Sequence, residues 1–182
     1  IFISPFSNFS SILIFLIFFS FIFSFCLGIA SKVCWFTYTG KSYFLANVPN
    51  PWTWSECSCV INIPLIDCYY PIIDHTTDEL LKIAPTKYAG PNPNEVGNFC
   101  VVGHNYRNSK FFSKVPTLVN GDVIEITDST GRTLRYSVYN KYEVVPEDLN
   151  CTSQLTNGAK EITVITCTND SKMRVIVKAR AV

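Results

Sequence analysis

The segment "ITVITCTNDSKMRVIVKAR", residues 162–180, places a thiol and a guanidinium on either side of a short turn. With a four-residue turn at 169–172, antiparallel pairing sets Thr168 opposite Met173 and Cys167 opposite Arg174; a two-residue turn at 170–171 gives the same register. Directly opposed residues share a face, with Cβ atoms about 4.5–5.5 Å apart. A cysteine so placed is a candidate nucleophile, and the arginine beside it supplies fixed donors for an oxyanion or a peptide carbonyl. Arg180 falls opposite Glu161, about 20 Å along the strands from Cys167, too far to share in that chemistry.

The pair lacks a proton carrier, and the chain has only two histidines. His75 sits in "PIIDHTTDEL", just before a helix start. His104 follows Gly103 at the end of the apolar run "NFCVVGHN", where a side chain can project from the rim of a barrel. Each residue has a bland reading by itself: Cys167 as a buried apolar filler, His104 as a structural hydrogen-bonder, Arg174 as a solvated strand residue. Together they supply the nucleophile, the acid–base group and the anion-holding group of acyl transfer.

Such a site needs elements to carry it. From Val60 onward the texture is that of short strands. "VINIPLIDCYYPIID" is strand-like, with Pro64 and Pro71 marking bends or edges. "HTTDELLKIA" reads as one short helix, with Thr76 and Glu79 as a capping box. "PTKYAGPNPNEVG", residues 85–97, is turn chemistry, and "NFCVVGHN" a buried strand. "DVIEIT" and "TLRYSVYNKYEV" form a hairpin about "DSTG". Residues 145–160 are a long irregular connection into the strand that delivers Cys167; its apolar residues, Leu149 and Leu155, either line a groove or tack the loop to the body. About seven or eight short strands without βα alternation imply an all-β, closed or nearly closed barrel, which removes sheet edges.

Residues 1–31 carry no charged side chain, and "SILIFLIFFSFIFSFCLGIA", residues 11–30, is long enough as a helix to span about 30 Å of bilayer. A signal peptide is the rival reading, but its apolar region runs to about 7–15 residues. Lys32 and Lys41 follow the segment and no basic residue precedes it, which by charge alone places the next domain in the cytoplasm. The expected organisation is a transmembrane anchor at 1–31, a linker or stalk at 32–59 and a barrel at 60–182. A net charge of +1 leaves no electrostatic footprint for nucleic acid. Eight cysteines do not make a zinc site: Cys57 and Cys59 are the one close pair, and no second pair or histidine answers them. A disulfide among Cys34, Cys57 and Cys59 fits an extracellular domain. No cofactor or metal is expected, and nothing indicates a calcium requirement.

The chain resembles the sortase family. "TVITC", residues 163–167, is similar to the sortase signature Thr-Leu-x-Thr-Cys, Gly103-His104 to its histidine motif, and Arg174 to its arginine, in the family's order. "IPLID" at 63–67, "TTDELLKIAPTKYAG" before the histidine and "FFSKVPTLVNGDVIEI" after it fit as well, so the likeness covers about residues 60–180. Val164 stands where the family has leucine. "GHN" resembles class B, while the short loops resemble classes A, D or E. The resemblance implies a sortase-type barrel outside the cell, behind a single-pass membrane anchor. It implies a transpeptidase acting on a Leu-Pro-x-Thr-Gly-like sorting signal, with an amine of a cell-wall precursor or a pilin as acceptor. Cys167 is then the nucleophile, His104 the acid–base group and Arg174 the holder of substrate backbone and oxyanion. Thr166 would help shape the oxyanion hole through its hydroxyl or neighbouring backbone, and Leu149 and Leu155 would meet the Leu-Pro portion. Tyr106 and Arg107 are further rim candidates.

Three other functions are open on the residues alone. A cysteine peptidase would hydrolyse regardless of added amine. A membrane-tethered binding barrel would not need Cys167. A metal or redox module would centre on Cys57 and Cys59.

Overall fold

The computed structural model describes residues 57–182 and, as backbone, two strands upstream, β1 (Cys34–Tyr38) and β2 (Lys41–Leu45). Two compact units result, Ile1–Asn50 and Pro51–Val182. In the first, β1 and β2 pair antiparallel from Cys34↔Leu45 to Tyr38↔Lys41. The apolar segment at 11–30 read as a membrane helix, and most of the stretch read as a stalk, lie outside the described residues. Among the described residues, no helix is long and apolar enough to cross a membrane.

The second unit is a closed eight-stranded barrel: β3 (Cys57–Ile63), β4 (Cys68–Ile73), β5 (Thr86–Ala89), β6 (Gly97–Val102), β7 (Val123–Asp128), β8 (Thr133–Val144), β9 (Lys160–Cys167) and β10 (Arg174–Ala181). The hydrogen-bonded order is β10-β8-β7-β3-β4-β5-β6-β9, with β9 pairing back to β10. Most pairs are antiparallel; β4–β5 and β6–β9 are parallel. Alternation along each strand sends one set of side chains inward. Ile61, Ile63, Phe99, Val101, Ile124, Ile126, Ile162, Val164 and Val177 fill the interior. Val164, registered against Val101 and Val177, is fully buried there, so a β-branched residue serves the packing where leucine was the expectation.

Two local expectations change. Residues 86–89, read as turn chemistry, form β5, which bridges β4 and β6 and closes the barrel. Pro85 and Gly90 at its ends disguise a strand of only four residues. The helix, α1 (Asp78–Leu81), is capped by Thr77, not Thr76: the Leu80 amide donates to the Thr77 hydroxyl at 3.3 Å. Thr76 instead bonds the Thr86 hydroxyl at 2.7 Å and donates to the Lys87 carbonyl at 2.8 Å, tying the start of the helix to β5.

A buried polar cluster ties the β5–β6 loop to the β7–β8 hairpin. Asn94, 1% exposed and left-handed (φ 64°), donates to the Ile126 and Arg132 carbonyls and to Asp128, and accepts from Tyr136 at 3.0 Å. Burial pushes the Asp128 carboxyl up, but bonds from Thr130, Asn94 and Arg132 together outweigh it and hold the group at about 2, against an ordinary 3.8. A depressed carboxylate contributes stability above its unfolded value and loses it as pH falls through the folded one. We expect about 2 kcal/mol to be lost between pH 4 and pH 2. Urea midpoints across that window should fall more steeply for the parent chain than for Asp128→Asn. Equal slopes would exclude Asp128 as the source.

Candidate active site

Strand β9 ends on Cys167 and β10 begins on Arg174, with the pairing expected from the hairpin: Cys167↔Arg174, and Glu161↔Arg180 at the far end. The turn is held by the Thr168 amide donating to the Met173 carbonyl at 3.0 Å. Arg174 Nη1 donates to Cys167 Sγ at 3.4 Å, and both residues are half-buried. Arg180 is engaged elsewhere, donating to Glu161 Oε1 from Nη2 at 2.6 Å. Because Ile162 and Val164 face the interior, Cys167 and Ile165 face outward. The site is therefore built on the outer wall of the barrel at its rim.

The strand that leads to His104 reaches this wall by parallel pairing. The β6–β9 register ends at Val102↔Ile165. Two residues beyond this pair in the sequence stand His104 on one segment and Cys167 on the other. Backbone and side-chain hydrogen bonds hold the segments together past the end of the ladder. The Gly103 amide donates to the Ile165 carbonyl at 3.1 Å, the Thr166 hydroxyl to the Gly103 carbonyl at 2.8 Å, and Asn105 Nδ2 to the Cys167 carbonyl at 3.0 Å. The residues flanking His104 are thus fastened to the residues that deliver Cys167.

The half-buried imidazole is braced by aromatic rings. The Tyr106 ring lies 5.1 Å from it, Phe111 lies 5.7 Å from Tyr106, and Tyr70 of β4 meets Phe111 edge-on at 5.2 Å. Phe111 also accepts from the Cys68 thiol at 3.6 Å through its carbonyl. Tyr106 is therefore a rim residue in contact with the candidate histidine. Arg107, exposed and left-handed (φ 59°), belongs to the turn beside it.

A groove of about 250 Å³ runs along the outer wall to Arg174, with Val102, Ile165 and Ile176 as its apolar floor and Leu149 and Cys151 on the β8–β9 loop. Asn98 fixes that loop: its Nδ2 donates to the Cys151 and Ser153 carbonyls at 3.0 and 3.1 Å, while its Oδ1 accepts from Thr163 at 2.7 Å. Gln154 completes the clamp by accepting from the Asn98 amide and donating to its carbonyl. Asn98 near the start of an otherwise apolar strand is the one sequence signal for this clamp, since a buried amide in such a run must find partners.

The three residues expected to meet substrate stand in different places. Leu155 is 91% exposed and lies outside the groove; the loop's hold on the barrel is polar, so the leucine is free to point into water. Thr166 is 1% exposed, and its hydroxyl donates to the Gly103 carbonyl, joining the histidine and cysteine strands; its backbone stands next to Cys167. Leu149 does line the groove.

Cys59, Cys68, Cys100, Cys151 and Cys167 are free thiols, so no disulfide joins Cys59 to Cys57. A register shift between Cys57 and Cys59 separates them in the strand, and Cys34's side chain lies outside the described residues. Burial raises the Cys59 and Cys151 thiols and pushes Cys68 and Cys100 up to about 12. Those four are poor nucleophiles at neutral pH. Among the described residues, no group of three or more His, Cys, Asp or Glu is placed to hold a metal ion.

Gly103 is required by close packing. A Cβ there would sit 2.6 Å from Cδ2 of Phe112, a fully buried ring. We expect Gly103→Ala to cost about 1–3 kcal/mol as overpacking and to displace His104. The check is a thermal melt beside an activity assay: an unchanged melting point would show that Phe112 yields freely.

A family model for the sortase domain matches residues 61–182. A Clostridium perfringens sortase D5 transpeptidase of known structure is 30% identical, covering 69% of this chain and 79% of that one, with a TM-score of 0.63. Sortase C-1 of Actinomyces oris is 27% identical over 68% of this chain and 72% of its own, with a TM-score of 0.62. A lid mutant of Corynebacterium diphtheriae sortase A is 28% identical over 69% and 70%, with a TM-score of 0.63. No curated protein matches the chain.

Proposed function

The chain belongs to the sortase family of cysteine transpeptidases, and from that premise we propose that Cys167, His104 and Arg174 carry the reaction. Members of the family act in general on sorting signals and pass them to amines. In the proposed cycle His104 takes the Cys167 proton as Sγ adds to a peptide carbonyl of the signal. The carbon–nitrogen bond then breaks, His104 gives that proton to the departing amine, and a thioester remains. An incoming amine attacks the thioester, His104 takes up its proton, the carbon–sulfur bond breaks, and the proton returns to the sulfur to restore the thiol. Arg174 holds the substrate backbone and the oxyanion of both tetrahedral intermediates. The groove takes the apolar part of a Leu-Pro-x-Thr-Gly-like signal against Ile165, Ile176 and Leu149. The acceptor is the amine of a cell-wall precursor or a pilin lysine, and the apolar segment at 11–30 anchors the enzyme with the barrel outside the cell.

The observation that carries this reading is the Arg174–Cys167 contact at 3.4 Å, with the flanks of His104 bonded across to the same strand end. Of the six described thiols, only Cys57 and Cys167 are not buried. The test uses the full chain in mild detergent, sorting-signal peptides, and glycine or lysine amines. Mass spectrometry should find a peptide–amine product whose yield rises with amine at the expense of hydrolysis. Hydrolysis indifferent to amine would favour a peptidase. No turnover, with a thiol reagent showing no preference for Cys167, would favour a binding barrel.

A further inference from the structure

The groove that ends at Arg174 carries one charge of each sign. Of the residues lining it, Arg174 is the one cation and Asp148 the one anion. No ion pair among the described residues involves either. Asp148 is half-buried, and its Oδ1 accepts from the Asn150 amide at 2.9 Å, which orients the carboxylate within its own turn. Its charge reaches the wall: after burial, Asp148 is among the groups that push the Cys151 thiol and the Tyr142 phenol upward. Lys178, whose charge acts on Cys151 in the opposite sense, lies 3.9 Å from Glu161 and is engaged there. The turn does not swing freely, because Thr152 donates from its amide to the Leu149 carbonyl at 2.9 Å and Asn98 clamps Cys151.

A peptide lying in this groove covers a carboxylate. Desolvating it without a partner is unfavourable, and placing another anion there is worse. We infer that Asp148 is a specificity-determining residue that selects a lysine or arginine in the acyl-donor peptide, on the side preceding the attacked carbonyl. This rests on the proposed reading of the site. In that reading the departing amine takes its proton from His104, which does not line the groove. The leaving portion therefore lies on the histidine side, and the groove receives the portion that precedes the attacked carbonyl.

The test uses the full chain carrying Cys167→Ala and fluorescent Leu-Pro-x-Thr-Gly peptides. Lysine, norleucine or glutamate is placed either at x or just before the leucine, and binding is read by anisotropy at low and high salt. At one of the two positions lysine should bind about tenfold tighter than glutamate, norleucine falling between, with the gap narrowing in salt. Adding Asp148→Asn, which keeps an oxygen acceptor for the Asn150 amide, should abolish the order, and Asp148→Lys should invert it. A flat order at both positions, an order unchanged by Asp148→Asn, or no binding by any peptide overturns the inference. Ligation of the norleucine peptide by the parent chain is scored separately. Ligation with a flat order leaves the transpeptidase reading standing and removes the role of Asp148. The expected order without ligation removes the proposed chemistry and leaves the charge selection.

Discussion

Cys167→Ala should lower peptide–amine ligation by about 10⁴-fold or more. The proposed cycle passes through a thioester, and no other described thiol lies beside a guanidinium in this way. Cys59, Cys68, Cys100 and Cys151 are buried with raised thiols, and Cys57 stands on β3, separated from β9 in the barrel order. The substitution should leave the fold alone: the side chain is half-buried on the outer wall, and the bonds joining the strand ends use the Cys167 carbonyl and the Thr166 hydroxyl. The melting point should therefore stay within a few degrees of the parent. Mass spectrometry of parent enzyme quenched during turnover should show an acyl adduct that the variant lacks. Ligation within tenfold of the parent would remove Cys167 from its role.

Arg174→Ala should lower kcat by about 10²–10³-fold, and Arg174→Lys should recover only a small part. The guanidinium is a planar fork: with Nη1 on Cys167 Sγ at 3.4 Å, Nε and Nη2 remain to meet a developing oxyanion from a fixed direction. An ammonium on a flexible stem restores charge without that geometry. Donors that work chiefly in the transition state change kcat more than KM. A variant in which KM rises while kcat holds would make Arg174 a grip on bound peptide and leave the oxyanion to backbone amides.

The parts of the site that lie close together along the chain were legible before any fold was known. A hairpin register follows from the turn, so Cys167↔Arg174 and Glu161↔Arg180 could be read from residue numbers. The barrel class followed from short β-branched strands needing closed edges. Short-range detail was less legible. The capping residue moved by one position, to Thr77, because Thr76 found partners on β5. The strand β5 was hidden because its pairing partners, not its composition, define it.

The sequence by itself determined which side chains could do chemistry, and it paired the thiol with the guanidinium, since that contact crosses only a turn. Only the tertiary structure brought the flanks of His104 to the same strand end, because Asn105 and Cys167, bonded at 3.0 Å, are 62 residues apart in the chain. Parallel registers of this kind are set by burying both inner faces at once, as with Val101 against Val164, and no local rule encodes them. The same closure buried Thr166, left Leu155 in water and brought Asp148 into the groove. Each outcome depends on which face of a wall a residue occupies, and a wall has faces only after the barrel closes.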